Sequence, residues 1–482
     1  MTVIRPNSIS GINSITGQGG DVTIFRADGT AGDLVVNNVT TGIVTATTFV
    51  GNVTGAVTGS GANLTNLPAG NLTGTVADAR LTTVSSSKLS GALPALDGSA
   101  LTGVGASFGN SSVNTSGIIT ATAFVPSSGQ LSHRNIISNG ACMVAQRGTS
   151  SGSTGYQTVD RFKLGTGGAD EALQQYQGTI ASHESPYNEG HRYSYYIMNG
   201  NQTGGAGSGD YAEIQYKVEA QDMATCGWNY TSSSSFITLS FWLKSNVGQN
   251  FYGFVYSADG TAQRYIFQTG TITANSWNKI VVTIPGGTNV QFDSDVNEGF
   301  IIKWIPFYGT DKTNNSATVG SWANYNGAAR CPDNTSTWWT TDNSTFYLTG
   351  VQLEVGPVAT PFEHRNYQEE LLRCQRYFYA HKGPLWGETS AGDHLDIGLY
   401  FPVPMRASPS FTQVDTSLAY KNRLNQGNNT SGNTYLVSGG TNEYGAMWIA
   451  RPASGSWDTQ DGRHHYWHPP TGNTSYSWSS EL

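Results

Sequence analysis

The stretch FITLSFWLKS (236–245) alternates without a fault. Ile237, Leu239, Phe241 and Leu243 fall on one side, and Thr238, Ser240, Trp242 and Lys244 on the other. A period of two is that of a strand with one face on a core and the other toward water. Its neighbours repeat the pattern. FYGFVYSADGTAQRYIFQTG (251–270) reads as a hairpin turning at Ala258-Asp259-Gly260. NKIVVTIPGG (278–287) and FIIKWIPF (300–307) add strands, and STFYLTGVQLEVG (344–356) closes the series. In that last run either Phe346, Leu348, Gly350 and Gln352 share the buried face or the opposite register holds; the glycine leaves the choice open. No convincing helix interrupts residues 135–365. The whole span 131–365 is therefore expected to be a β-sandwich of jelly-roll type, in an all-β molecule.

Outward from this region the composition breaks near residue 130. Residues 1–130 hold no Trp, Tyr, His or Cys, whereas all 12 Trp and 24 Tyr come afterwards. A segment so poor in large apolar side chains cannot build a core alone. Yet TGIVTATTFVG (41–51) returns as SGIITATAFVP (116–126), with both faces of the alternating run partly apolar. Such strands need cover on both sides, and identical chains wound about one axis would supply it. Residues 31–130 are accordingly expected to form a repetitive trimeric shaft, with a flexible linker as the alternative.

The stretches HRNIISNGACMVAQRGTSSGSTGYQTVDRF (133–162) and WANYNGAARC…YLTGVQLEVGPVATPFEHRNYQEELLRCQRYF (322–378) resemble tail fibre proteins of tailed bacteriophages, especially those of marine cyanobacteria. MTVIRPNSISGINSITG and the shaft units are similar to the same group, and the resemblance covers about residues 1–410. It implies an elongated homotrimeric virion fibre that meets the host surface, with a jelly-roll domain similar to carbohydrate-binding modules. Residues 1–30 would attach to the tail, baseplate or an adaptor protein.

NYQEELLRCQRYF (366–378) is the one strong helical run. Asn366 is placed as N-cap and Glu369 three residues on, as in a capping box. Tyr367, Leu371, Cys374 and Phe378 have a 4-3-4 spacing, a coiled-coil-like seam. A short helix over 366–380 on the three-fold axis is the favoured expectation, packing on the sandwich the other. Residues 381–482 then form a C-terminal β tip with five Trp. Its run 445–480 mixes aromatic rings with planar polar groups, which is what stacking on sugar CH faces and binding hydroxyl edges requires. Trp457, Tyr466 and Trp467, with Asp458, Asp461 and Arg463, are the candidate glycan contacts; core packing is the competing role for each ring.

Composition narrows the function. The net charge of −8 argues against nucleic acid as partner. No apolar run approaches the roughly 18 residues of a membrane span, and MTVIRPNSIS is no secretory leader. The four cysteines are scattered and read as isolated thiols. No cofactor or metal is expected: His464 and His468 are too far apart along a strand, and DSDVNEG (293–299), with Asp293, Asp295 and Asn297, lacks the calcium-loop glutamate. The expected role is a non-enzymatic adhesin of the virion that binds host polysaccharide or lipopolysaccharide. A glycan depolymerase using a carboxylate pair among Glu388, Asp393, Asp396, Glu443 and Asp461 is one alternative, and a purely structural fibre another.

Overall fold

The computed structural model describes residues 132–381 continuously, then 385–390, 394–413, 419–422, 435–451, 464–468 and 476–482, with Thr30, Val50 and Thr54 standing singly. The expected attachment segment and shaft, including both copies of the repeat, otherwise lie outside the described residues. The chain divides into units Met1–Thr115 and Ser116–Leu482, and the described residues from 132 onward all belong to the second.

Alternating strands from 150 to 355 build two antiparallel six-stranded sheets. The first runs in the order β1 (Ser150–Ser151), β3 (Gln174–Thr179), β4 (Tyr193–Met198), β12 (Thr345–Val355), β6 (Phe236–Lys244), β9 (Asn278–Pro285). The second runs β11 (Trp322–Asn324), β8 (Gln263–Thr271), β7 (Asn250–Ser257), β10 (Glu298–Tyr308), β5 (Tyr211–Glu219), β2 (Lys163–Gly167). Ile237, Leu239, Phe241 and Leu243 of β6 are all buried, and face Phe300, Ile302 and Trp304 of β10 in one core. The all-β sandwich expected from the period of two is the fold observed. The connectors α1 (Ser185–Asn188) and α2 (Ala220–Thr225) are short helices.

Neither expected register of β12 holds along its whole length. Phe346 and Leu348 face the core, but beyond Gly350 the buried pair is Val351 and Leu353. The pairing with β6 slips between Thr349 and Gln352. Gly350 takes φ +60°, and a Cβ there would sit 2.8 Å from His191 Nε2, so a bulge that only glycine fits resets the face.

The two stretches that carry the fibre resemblance clasp each other. Asn135 Oδ1 accepts from Leu353 N–H at 3.0 Å and its Nδ2 donates to Val351 O at 3.1 Å. Arg365 donates to the carbonyls of Ile137 and Asn135, and Glu363 accepts from Asn135 N–H. Helix α3 (Tyr367–Gln375) continues this clasp. Asn366 caps it as expected, its Oδ1 accepting from Glu369 N–H at 2.9 Å. The seam differs from expectation. Tyr367 is exposed and Leu371 half-buried, while Cys374 and Phe378 are buried within this chain, and Phe378 already belongs to a strand. The anchoring face is set by Glu370, which accepts from Asn139 N–H and pairs with Arg365 at 3.3 Å. The helix therefore lies on its own sandwich, with Cys374 turned inward.

The DSDVNEG run is a turn that seats α2: the carbonyls of Asp295 and Asn297 accept from Gln221 and Ala220 N–H, both at 2.9 Å. The tip follows. A three-stranded sheet orders β13 (Phe378–His381), β21 (Tyr476–Ser479), β16 (Ser410–Gln413). A six-stranded sheet orders β17 (Ala419–Asn422), β20 (His464–His468), β14 (Leu385–Ser390), β15 (His394–Tyr400), β19 (Gly445–Arg451), β18 (Tyr435–Asn442). Ile397, Met405, Tyr476 and Trp478 centre its core. Glu481 then reaches back to the sandwich, pairing with Arg161 at 2.6 Å and Arg147 at 3.1 Å.

Candidate functional site

Four separate segments meet at one end of the sandwich around a cavity of about 590 Å³. The segment before β6 gives Tyr230 and Thr231. The β7–β8 hairpin gives Thr261 and Gln263, the loop after β9 gives Thr288 to Gln291, and β11 gives Asn324. Glycines let these segments approach. A Cβ on Gly286 would lie 2.5 Å from Ser232 O and 2.6 Å from Tyr230 O. At Gly260, where φ is +61°, it would lie 2.5 Å from Gln291 Oε1.

The lining is polar without charge. Gln263 is buried and donates from Nε2 to Asn324 Oδ1 at 2.8 Å and to Thr261 O at 2.9 Å, which fixes the amide's orientation. The Tyr230 ring rests edge-on against Phe292, centroids 4.9 Å apart, so it is a braced aromatic wall. Amides and hydroxyls donate and accept with planar or rotatable geometry, as a polyhydroxylated ligand requires. The lining residues include no carboxylate, histidine, lysine or arginine. The carboxyl pair that most glycoside hydrolases use is not among these lining residues.

A second cavity, about 540 Å³, lies beside β9 between Val281, Pro361, Phe362 and His364, with the Lys279–Glu189 pair (2.8 Å) at its rim. His191 is buried next to it, its ring 4.7 Å from that of Phe362 and 5.2 Å from His364. Burial, then the neighbouring His364, lowers its pKa to about 4. Glu189 is held below the usual range: burial opposes, but hydrogen bonds from Lys279 and Trp242 prevail.

Of the expected glycan contacts, Trp457, Asp458, Asp461 and Arg463 lie outside the described residues. Tyr466 and Trp467 are consecutive in β20. Tyr466 stands opposite Trp386 and Lys421, Trp467 opposite Leu385 and Tyr420. His464 and His468 close the two ends of the same strand. Sequence reading missed Tyr230, Gln263, Gln291 and Asn324. Thr, Asn and Gln are scattered throughout this chain, and nothing local marks four of them as neighbours; the Gly286-Gly287 pair was the single available sign of a close approach.

No family model matches the chain, and no curated protein does. Solved structures with a similar course include the enzymatically active domain of tailspike protein 4 of bacteriophage CBA120, at TM-score 0.26 and 10% identity over 46% of this chain. The match spans 21% of that domain's length. A putative sugar-binding protein of Bacteroides thetaiotaomicron gives TM-score 0.25 and 8% identity, covering 46% of this chain and all of that one. The family 11 carbohydrate-binding module of Clostridium thermocellum Lic26A-Cel5E gives 0.21 and 11%, covering 45% and 98%. Likeness of this extent assigns no activity; the chain is a β-sandwich protein with its own loop-lined cavity.

Proposed function

We propose that the chain is a trimeric tail fibre protein of a phage, attached to the virion by its N-terminal segment, whose sandwich and tip bind host-surface glycan. The observation that carries the binding role is the uncharged cavity: oriented amides, hydroxyls and one braced ring. The resemblance of residues 133–162 and 322–378 to phage fibres supports the setting. Binding of the purified full chain to host envelope polysaccharide tests the reading. Gln263→Ala and Tyr230→Ala should each weaken it by about 1–2 kcal/mol, because a buried amide or an aromatic wall is lost. Unchanged binding in both variants would remove the cavity from the account. The shared-axis shaft predicts a mass by light scattering of three chains of 51.4 kDa each; a monomer would overturn it.

One observation favours a second reading, a glycan depolymerase in the tip. Glu388 of β14 is the cross-strand partner of Asp396 in β15, and of His464 in β20. Opposed positions in antiparallel strands lie about 4.5–5.5 Å apart at Cα, so the register brings two carboxylate-bearing residues to neighbouring backbone positions, and a carboxyl pair is what most glycosidases use. Release of reducing ends from host polysaccharide, abolished by Glu388→Gln, would establish it. Retention without release leaves the adhesin.

A further inference from the structure

The described part of the tip leaves three large apolar side chains in the open, and all three meet at one hairpin. Tyr400, the last residue of β15, is 89% exposed. Tyr444, in the turn between β18 and β19, is 60% exposed, and Met447 of β19 is 55% exposed. Leu399 and Ala446, which alternate with Tyr400 and Met447, pack into the tip core, so Tyr400 and Met447 share the outer side of the sheet. Glycines stand around them. Met447 is opposite Gly398 on one strand and Gly440 on the other, and a Cβ on either would meet nothing within 4 Å. Tyr400 is opposite Gly445. No neighbouring strand therefore sets a side chain directly across from either residue.

The backbone beneath is pinned. Asn442 Oδ1 accepts from Tyr444 N–H at 2.9 Å and from Gly445 N–H at 3.1 Å. The carbonyls of Glu443 and Tyr444 accept from Met405 N–H at 2.7 Å and Phe401 N–H at 3.0 Å. A Cβ on Gly445 would lie 2.6 Å from Leu399 O, so only glycine lets β19 come this close to β15 beside Tyr400. Apolar area held out on a fixed backbone loses little entropy when a ligand covers it.

Size and charge choose the occupant. Three such side chains at these exposures offer on the order of 400 Å², about half of the roughly 800 Å² that each partner buries in a stable protein contact. That is a ligand-sized patch. Residues 398–400 and 440–447 include no Lys or Arg, and their one charged residue is Glu443, which has no ion pair among the described residues. An anionic ligand would be repelled there. We propose that Tyr400, Tyr444 and Met447 form a platform for a neutral polysaccharide. The CH faces of its sugars lie on the rings and the thioether, the two open glycines let it approach, and its hydroxyls meet the polar groups of Asn442 and Glu443. This rests on the reading of the tip as a glycan-binding domain and names its site; the cavity of the sandwich takes no part in it.

The test measures retention of mannan, dextran, a galactan and polygalacturonate by the immobilised full chain at low and high salt. At least one neutral polymer should be held, equally at both salt concentrations, and more strongly than polygalacturonate. Tyr400→Ala should weaken that binding about tenfold, the worth of one stacked ring, and Tyr400→Phe should keep it. Gly398→Thr has room to fold and should also weaken binding, because its side chain rises beside the platform. Wild-type retention by Tyr400→Ala and Gly398→Thr, with a loss in Tyr230→Ala, would overturn the platform and leave glycan binding to the cavity. Retention of no neutral polymer by the wild type, or a preference for polygalacturonate, would overturn it as well; glycan binding as such falls only if host envelope polysaccharide is also not held. A fall in mass by light scattering in Tyr400→Ala would make the patch a contact between copies of the chain and overturn the proposal.

Discussion

Burial lifts the Asp160 carboxyl to about 6, against the pull of Arg147 and the hydrogen bonds from Gln146. Its folded pKa lies above the ordinary 3.8, so the folded state holds the proton more tightly than the unfolded chain between pH 4 and 6. Stability from this group is greatest below that window and falls as pH rises through 6, by a total on the order of 3 kcal/mol. His191 runs the other way. Its pKa falls from 6.5 to about 4, so its contribution is present above 6.5 and lost as pH drops toward 4. The two oppose each other, and the wild-type melting curve should vary little over this range. Asp160→Asn removes one of them. The melting temperature of the variant minus that of the wild type should rise steadily from pH 4 to pH 7, whatever its offset. A difference constant with pH would mean that Asp160 does not titrate in the folded protein.

Helix α3 shows what an element's sequence can and cannot announce. Its cap was legible because capping is local: a side-chain oxygen three residues before the N–H it satisfies. Asn366→Ala should cost about 1 kcal/mol, a fall of roughly 1–2 °C in melting temperature for a unit this large; Asn366→Asp should restore it. The face the helix buries was not legible, because an apolar seam counts hydrophobic residues and the real anchor is an acid. Glu370 is buried through its bonds to Asn139 N–H and Arg365, more than 200 residues of chain away in the first case. Strand β12 teaches the same. Its alternation was plain on either side of Gly350, but the slip depends on His191 filling the space where a side chain would go. The cavity was the least legible feature, since its residues gain meaning only through the meeting of four segments.

At the scale of the described molecule, sandwich and tip are joined through a few buried charges. The Arg161 guanidinium is almost wholly enclosed, donates to Lys217 O at 2.6 Å and lies 3.3 Å above the Tyr377 ring. Among the described residues its one carboxylate partner within salt-bridge distance is Glu481, which Arg147 also holds. Arg406 of the tip binds the carbonyls of Ser480 and Glu481 and also that of Val296 in the sandwich. Arg376 adds a two-point pair with Glu219 of β5, both bonds 2.7 Å. Removing one partner of a buried ion pair strands the other's charge, which typically costs about 3–5 kcal/mol. Glu481→Gln should therefore destabilise the junction more than either domain, and a single calorimetric transition should split into two, tip first. The double change Arg161→Met with Glu481→Gln should recover part of the loss, because no charge is then left without a partner at that point. If Glu481→Gln instead lowers one undivided transition, then Arg376 with Glu219 carries the coupling, and Arg376→Gln becomes the substitution that separates tip from sandwich.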